Sequence, residues 1–139
     1  MSAPAWNIGD ELNEQTPPSI DRLQLIKYAG ASGDFNPIHT IDDAAEEAGL
    51  PGVIAHGMLT VATMGLLFSP HLEYGYVKTF RSRFSGMVFL GDTLRIGGRA
   101  TKVEDRVDGR LYTFEVYARR GEDTVASGEV GFLVYGEVG

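Results

Sequence analysis

Asp34, Asn36 and His39 crowd into one short segment of turn-forming residues, Ser32-Gly33-Asp34-Phe35-Asn36-Pro37. Pro37 pushes Asn36 out of the α region, so these side chains are displayed from a loop. Loops held by a rigid scaffold are where catalytic groups concentrate. A carboxylate and an imidazole at this spacing form a candidate general acid/base pair. Asn36 can donate and accept, so it could hold either side chain or a water. The bland reading uses the same residues: Asp, Asn, Ser, Gly and Pro are ordinary turn formers, and Asp34 closing an Asx-turn also accounts for them.

His56-Gly57 is a second feature. Gly57 falls at the start of a strongly apolar helical stretch. The unpaired N–H groups of a helix start carry the positive end of its dipole. A glycine there lets a ligand come close to the backbone, and its N–H could donate to a carbonyl oxygen that gains charge during reaction. Gly57 could equally ease helix packing. His56 reads more readily as a structural histidine at a helix start than as a catalytic one, with a loop-organising or substrate-binding role as the functional alternative. The spacing of Asp34, His39 and His56 matches no familiar metal site, so no metal is expected. His71 follows Pro70 and reads as a surface residue. Arg81, Arg83, Arg95 and Arg99 read as solvated or structural, with one or two available to the phosphates of a ligand.

The elements that must position these residues change character midway. Trp6 to Glu14 is a first strand or an entry segment. After Pro17-Pro18, Ser19 is a candidate N-cap, with Ile20, Leu23 and Ile26 at helical spacing and a stop signalled by Gly30 and Gly33. A short helix is predicted from Asp42 to Ala48, capped by Asp42 and stopped by Gly49. The third helix, Gly57 to Phe68, is apolar nearly all round and is therefore predicted to be buried. From Phe80 onward the period is two. Phe80/Ser82/Phe84, Leu94/Ile96, Tyr112/Phe114/Val116 and Val130/Phe132/Val134 read as the inner faces of strands, joined by turns at Gly91-Asp92, Asp108-Gly109 and Gly121-Glu122-Asp123. Helices first and strands after is an α+β pattern with an antiparallel sheet, and wrapping that sheet around the apolar helix gives the hotdog arrangement.

Length and composition agree. A chain of 139 residues suits one domain spanning 1–139. The absence of cysteine excludes disulfides and thiolate metal sites and fits a cytoplasmic protein. A net charge of −7 argues against nonspecific nucleic-acid binding. The stretch Met58 to Phe68 is about half of what a membrane span requires, and no signal peptide is visible from Met1 to Asp10.

The string Tyr28-Ala29-Gly30-Ala31-Ser32-Gly33-Asp34-Phe35-Asn36-Pro37-Ile38-His39 resembles the signature of the MaoC-like family of (R)-specific enoyl-CoA hydratases and 3-hydroxyacyl dehydratases. Ile54-Ala55-His56-Gly57-Met58-Leu59 is similar to that family's second motif. Arg83-Phe84 followed by Gly91-Asp92-Thr93-Leu94 is similar to its third, and more weakly so. Met87 stands where family members often have proline. The resemblance implies that Asp34 and His39 are catalytic, that Asn36 organises their loop, and that the Gly57 N–H binds the thioester oxygen. It also implies a dimer with sheets paired edge to edge and a pocket built by both subunits. The implied substrate is a coenzyme A or acyl carrier protein thioester, with no further cofactor. Two other readings of a hotdog chain are a non-catalytic acyl-binding subunit paired with a related active one, and an acyl-CoA thioesterase; the intact Asp34/Asn36/His39 loop argues against both.

Overall fold

A computed structural model describes residues 2–136; Met1 and residues 137–139 of the predicted domain span lie outside it. Helix α1 spans Arg22–Ser32, α2 Asp42–Glu47 and α3 Gly57–Gly65, and four strands follow: β1 Gly75–Phe84, β2 Arg95–Arg106, β3 Gly109–Arg120 and β4 Asp123–Tyr135. The strands form one antiparallel sheet in the order β1-β4-β3-β2. This sheet with its few helices is the hotdog fold.

The period-two reading holds best in the central strands. Tyr112, Phe114 and Val116 of β3 and Val130 and Phe132 of β4 are all buried. Phe68, in the turn after α3, fills the space they enclose, with its ring 5.3 Å from Phe114 and 5.6 Å from Phe132. A buried aromatic of this kind contributes roughly 1.5–3 kcal/mol through burial alone. The edge strand β1 departs from the expectation. Phe80 is half-buried, but Ser82 and Phe84 are exposed, because this end of β1 has only β4 beside it.

Helix α3 is shorter than predicted, and its continuous apolar sequence does not make it buried all round. Thr60, Val61 and Met64 face the core, whereas Met58 and Leu66 are 57% and 44% exposed. In α1 the predicted cap moves. Asp21, not Ser19, accepts from the Gln24 N–H, because Ile20 is already paired through its backbone with Gly91 and Asp92. The helix also runs through Gly30 and stops at Gly33, which has φ of 76°. For α2 the N-cap is Ile41, and Asp42 instead meets Arg22 at 2.8 Å. The β2–β3 turn is Val107-Asp108, one residue earlier than predicted. Gly109 is the first residue of β3, and a Cβ there would strike the Val134 carbonyl.

The amino-terminal segment forms no regular strand, yet it covers the outer edge of β2. Gly9 and Leu12 donate to Ala100 and Gly98, and Gln15 exchanges two hydrogen bonds with Ile96. A covered edge cannot template pairing with another chain. Trp6 anchors this arm, its ring edge-on to His71, Tyr112, Phe114 and Phe132.

His71 is therefore not the surface residue predicted. It is half-buried, and burial pushes its imidazole below the ordinary value of 6.5. The unfolded chain then binds more protons than the folded one just below that value. The His71 contribution is present above pH 6.5 and is lost as pH falls toward the depressed value. Melting temperature is expected to fall between about pH 7.5 and about pH 5, with less change in His71→Phe. Thermal scans of both proteins at the two pH values check this, and an identical pH dependence in the variant removes His71 as a source.

Candidate active site

The loop leaving α1 is built by its own side chains. Gly33 turns the chain into the left-handed region, and the Ser32 hydroxyl accepts from the Asp34 N–H at 3.1 Å. Asp34 Oδ1 accepts from the Asn36 N–H at 3.2 Å, and Asn36 Oδ1 accepts from the Ile38 N–H at 3.2 Å. The Asn36 bond caps a single 3-10 turn, Pro37–His39, which brings His39 inward. The turn and the acid/base readings of Asp34 are thus compatible: Oδ1 closes an Asx-turn while Oδ2 faces His39.

His39 is 7% exposed, and its Nδ1 lies 2.7 Å from the Ile54 carbonyl. A carbonyl only accepts, so Nδ1 carries the proton and Nε2 presents its lone pair. Nε2 lies 3.8 Å from Asp34 Oδ2. That is too far for a direct hydrogen bond and suits one water held by both at about 2.8 Å. His56, 1% exposed, stacks on His39 with ring centroids 3.8 Å apart and planes 25° from parallel. Its Nε2 donates to the Asp34 carbonyl at 3.1 Å. Tyr28 of α1 closes the other side, edge-on to His56 at 4.8 Å.

Gly57 is the first residue of α3, so its N–H has no acceptor inside the helix. It follows His56 directly, which sets this donor beside the stacked pair. A Cβ at Gly57 would sit 3.1 Å from the Phe84 ring, so only glycine leaves this corner open without moving Phe84. Ligand atoms of Asp34, His39 and His56 lie within 4.8 Å of one another. His56 Nε2 is occupied by the Asp34 carbonyl, which leaves the His56 lone pair on Nδ1, an atom buried without a hydrogen-bond partner.

The Gly91-Asp92-Thr93-Leu94 stretch is an architectural device beside this site. Asp92 Oδ2 accepts from the Phe89 N–H at 2.8 Å and from Arg120 at 3.0 Å, and Arg120 also donates to the Met87 carbonyl. Together they hold the loop that presents Met87, which is 46% exposed. Asp92→Ala is expected to destabilise the fold by about 1–3 kcal/mol, because it strands the Arg120 guanidinium and the Phe89 N–H. Urea denaturation checks this, and a loss below about 0.5 kcal/mol would show that water replaces the carboxylate without penalty.

The arginines do not converge on the site. Arg81 pairs with Glu129, Arg95 with Glu14 and Arg99 with Glu115. Arg81 and Arg99, with Arg83 and Arg119, border a groove on the sheet's outer face whose lining does not include Asp34, His39 or Gly57. Sequence reasoning missed Ile54 as the acceptor that sets the His39 tautomer, and Arg120 as the partner of Asp92. Neither leaves a local signal, since a backbone carbonyl and a strand-end arginine are unremarkable in a sequence.

A four-stranded antiparallel sheet curled over one helix, with an imidazole–carboxylate pair at that helix's N-terminal end, defines a hotdog protein equipped for acid/base chemistry. The MaoC like domain model matches residues 4–122, and the chain belongs to that family. It is 35% identical over 123 residues to the fatty acid synthase beta subunit pkiC of Emericella nidulans, covering 86% of this chain and 6% of that protein. It is 51% identical over 45 residues to 3-hydroxyacyl-thioester dehydratase X of Mycobacterium tuberculosis, covering 32% of this chain and 16% of that one. Among solved structures, the (R)-hydratase from A. caviae involved in PHA biosynthesis superposes with a TM-score of 0.83 at 21% identity, over 95% of this chain and 99% of that one. R-hydratase PhaJ1 from Pseudomonas aeruginosa superposes with a TM-score of 0.78 at 25% identity, over 95% and 84%.

Proposed function

We propose that this chain is an (R)-specific hydro-lyase that adds water reversibly to a trans-2-enoyl thioester and, in reverse, dehydrates the 3-hydroxyacyl thioester. The observation that carries the reading is the 3.8 Å gap between His39 Nε2 and Asp34 Oδ2, with the His39 tautomer set by Ile54. The names of the matched dehydratases and (R)-hydratases support it.

The chemistry follows from that gap. A water held between the two groups adds its oxygen to C3 of the enoyl chain. His39 Nε2 takes one proton from this water, and Asp34 Oδ2 orients it and offsets the imidazolium charge that forms. The electron pair of the C2–C3 bond moves toward the thioester oxygen, where the Gly57 N–H receives the developing charge. The His39 proton then passes to C2. Water has been added across the bond, the groups return to their starting states, and no cofactor is consumed.

The carrier is coenzyme A or acyl carrier protein, and the compartment is the cytoplasm. No helix among the described residues is long and apolar enough to cross a membrane. The working unit is a dimer of this chain or a heterodimer with a related subunit. Among the described residues the free side of β1 has no strand partner, and Phe35, Met58 and Phe84 are 70%, 57% and 50% exposed. The ChsH1-ChsH2 complex from Mycobacterium tuberculosis is among the structures of this fold, with a TM-score of 0.82 at 19% identity.

The test is the enoyl-thioester absorbance of crotonyl-CoA and a longer homologue mixed with purified protein, alongside a saturated acyl-CoA with a thiol reagent. Loss of the enoyl band without thiol release is the expected result. Thiol release from the saturated substrate would make the chain a thioesterase instead.

A further inference from the structure

We propose that His56 is a positioning residue of this site: its ring N–H anchors the Asp34 carbonyl while its face supports the His39 ring, so that it sets the spacing between carboxylate and base. This rests on the hydro-lyase reading above and gives the residue a part in holding the reacting groups rather than in the proton transfers.

A histidine at this position carries a cost. His56 is almost fully buried, and its Nδ1 has no hydrogen-bond partner. Buried polar atoms are nearly always paired, and an unpaired one is unfavourable. A phenylalanine would occupy a similar volume between Tyr28 and His39 and leave no orphan nitrogen. Packing alone therefore does not explain the imidazole. The other nitrogen does. Nε2 donates to the Asp34 carbonyl at 3.1 Å, and a phenyl ring cannot do this.

The bond links two elements far apart in the chain. Asp34 lies on the loop after α1, and its remaining hydrogen bonds are to Ser32, Asn36 and no other described residue. The His56 bond is what ties the Asp34 backbone to the start of α3 among the described residues. His56 is also the N-cap of α3, yet its side chain makes no cap bond. It is spent across the site instead. Its ring stacks on that of His39 with centroids 3.8 Å apart and restrains the base against its face, while the Ile54 carbonyl holds it through Nδ1. One rigid side chain thus registers the Asp34 loop, the His39 imidazole and, through the next peptide, the Gly57 N–H. Small misplacements of reacting groups are costly: about 1 Å can lower a rate by about 10²-fold.

Two variants separate the roles of donor and ring. His56→Phe keeps a ring and loses the N–H. His56→Gln places an amide N–H near the position of Nε2 and loses the ring. Hydration of crotonyl-CoA should show a kcat about 10²-fold below wild type for His56→Phe, with KM changed less than about threefold and the fold retained. His56→Gln should recover kcat to within about tenfold of wild type. Wild-type kcat in His56→Phe overturns the proposal. So does equal loss of kcat in both variants with a matching drop in melting temperature, which would assign His56 to packing only. If the wild-type protein hydrates no enoyl thioester, the reaction reading has failed rather than this one. Long-range ¹⁵N–¹H correlation spectra of the wild-type histidines then decide. Protonation at Nε2 of His56 and Nδ1 of His39 supports the positioning geometry, and protonation of His56 at Nδ1 overturns it.

Discussion

Asp34→Asn lowers the rate of enoyl-thioester hydration by about 10²–10⁴-fold, the range for losing one member of an acid/base pair, and leaves the fold intact. The two halves of that expectation come from the two oxygens of one side chain. Asparagine keeps an oxygen to accept from the Asn36 N–H, so the Asx-turn persists. It lacks the anionic oxygen that faces His39 Nε2, so the water loses its anchor and the imidazolium loses its counter-charge. The Asp34 side chain is 52% exposed, so removing its charge costs the fold little. His39→Ala should lose as much activity by removing the base itself. If both groups act on one water, as proposed, the double variant should be little worse than either single one. The measurement is initial rate against the enoyl absorbance, with circular dichroism as the control for folding. Turnover of Asp34→Asn within about threefold of wild type would detach this loop from the chemistry.

Gly57→Pro is expected to cost about 10²–10³-fold, the effect of removing one oxyanion donor. Proline lacks only the N–H that the mechanism uses, and the first position of a helix tolerates it. The residue before a proline must be extended, and His56 already has ψ of 132°. The confounding factor is Phe84, whose ring a new Cβ would meet at 3.1 Å. Gly57→Ala makes the same Cβ intrusion but keeps the N–H, and Phe84 is 50% exposed, so its ring can yield toward solvent. The alanine variant should therefore retain much more activity than the proline variant. Equal activity in the two would show that the Phe84 contact, and not the donor, governs the effect.

The loop carrying Asp34, Asn36 and His39 was legible because its structure is local. Asx-turns, a proline-started turn and a glycine stop act over two to four residues, and each appears where turn chemistry places it. The alternation in β3 and β4 was legible for a similar reason, since the pleat alone sends Tyr112, Phe114 and Val116 to one face. Helix starts were less so. Ser19 is as good a cap as Asp21 by residue type, and the backbone pairing of Ile20 with a loop some seventy residues later decided between them.

By itself, then, the sequence determined which residue types stand in the loop, which strands alternate, and which family the motifs resemble. Tertiary structure decided what those residues do to one another. Sheet order left the end of β1 open and Phe84 half-exposed against Gly57. The amino-terminal arm left His71 half-buried against Trp6. The return of the chain at Ile54 set the tautomer of His39, and the approach of the Asp34 loop to the start of α3 brought His56 into contact with both Asp34 and His39. The physical reason is range. Turn, cap and pleat preferences are written in a few neighbouring residues, whereas burial and a shared hydrogen bond exist only once distant segments meet.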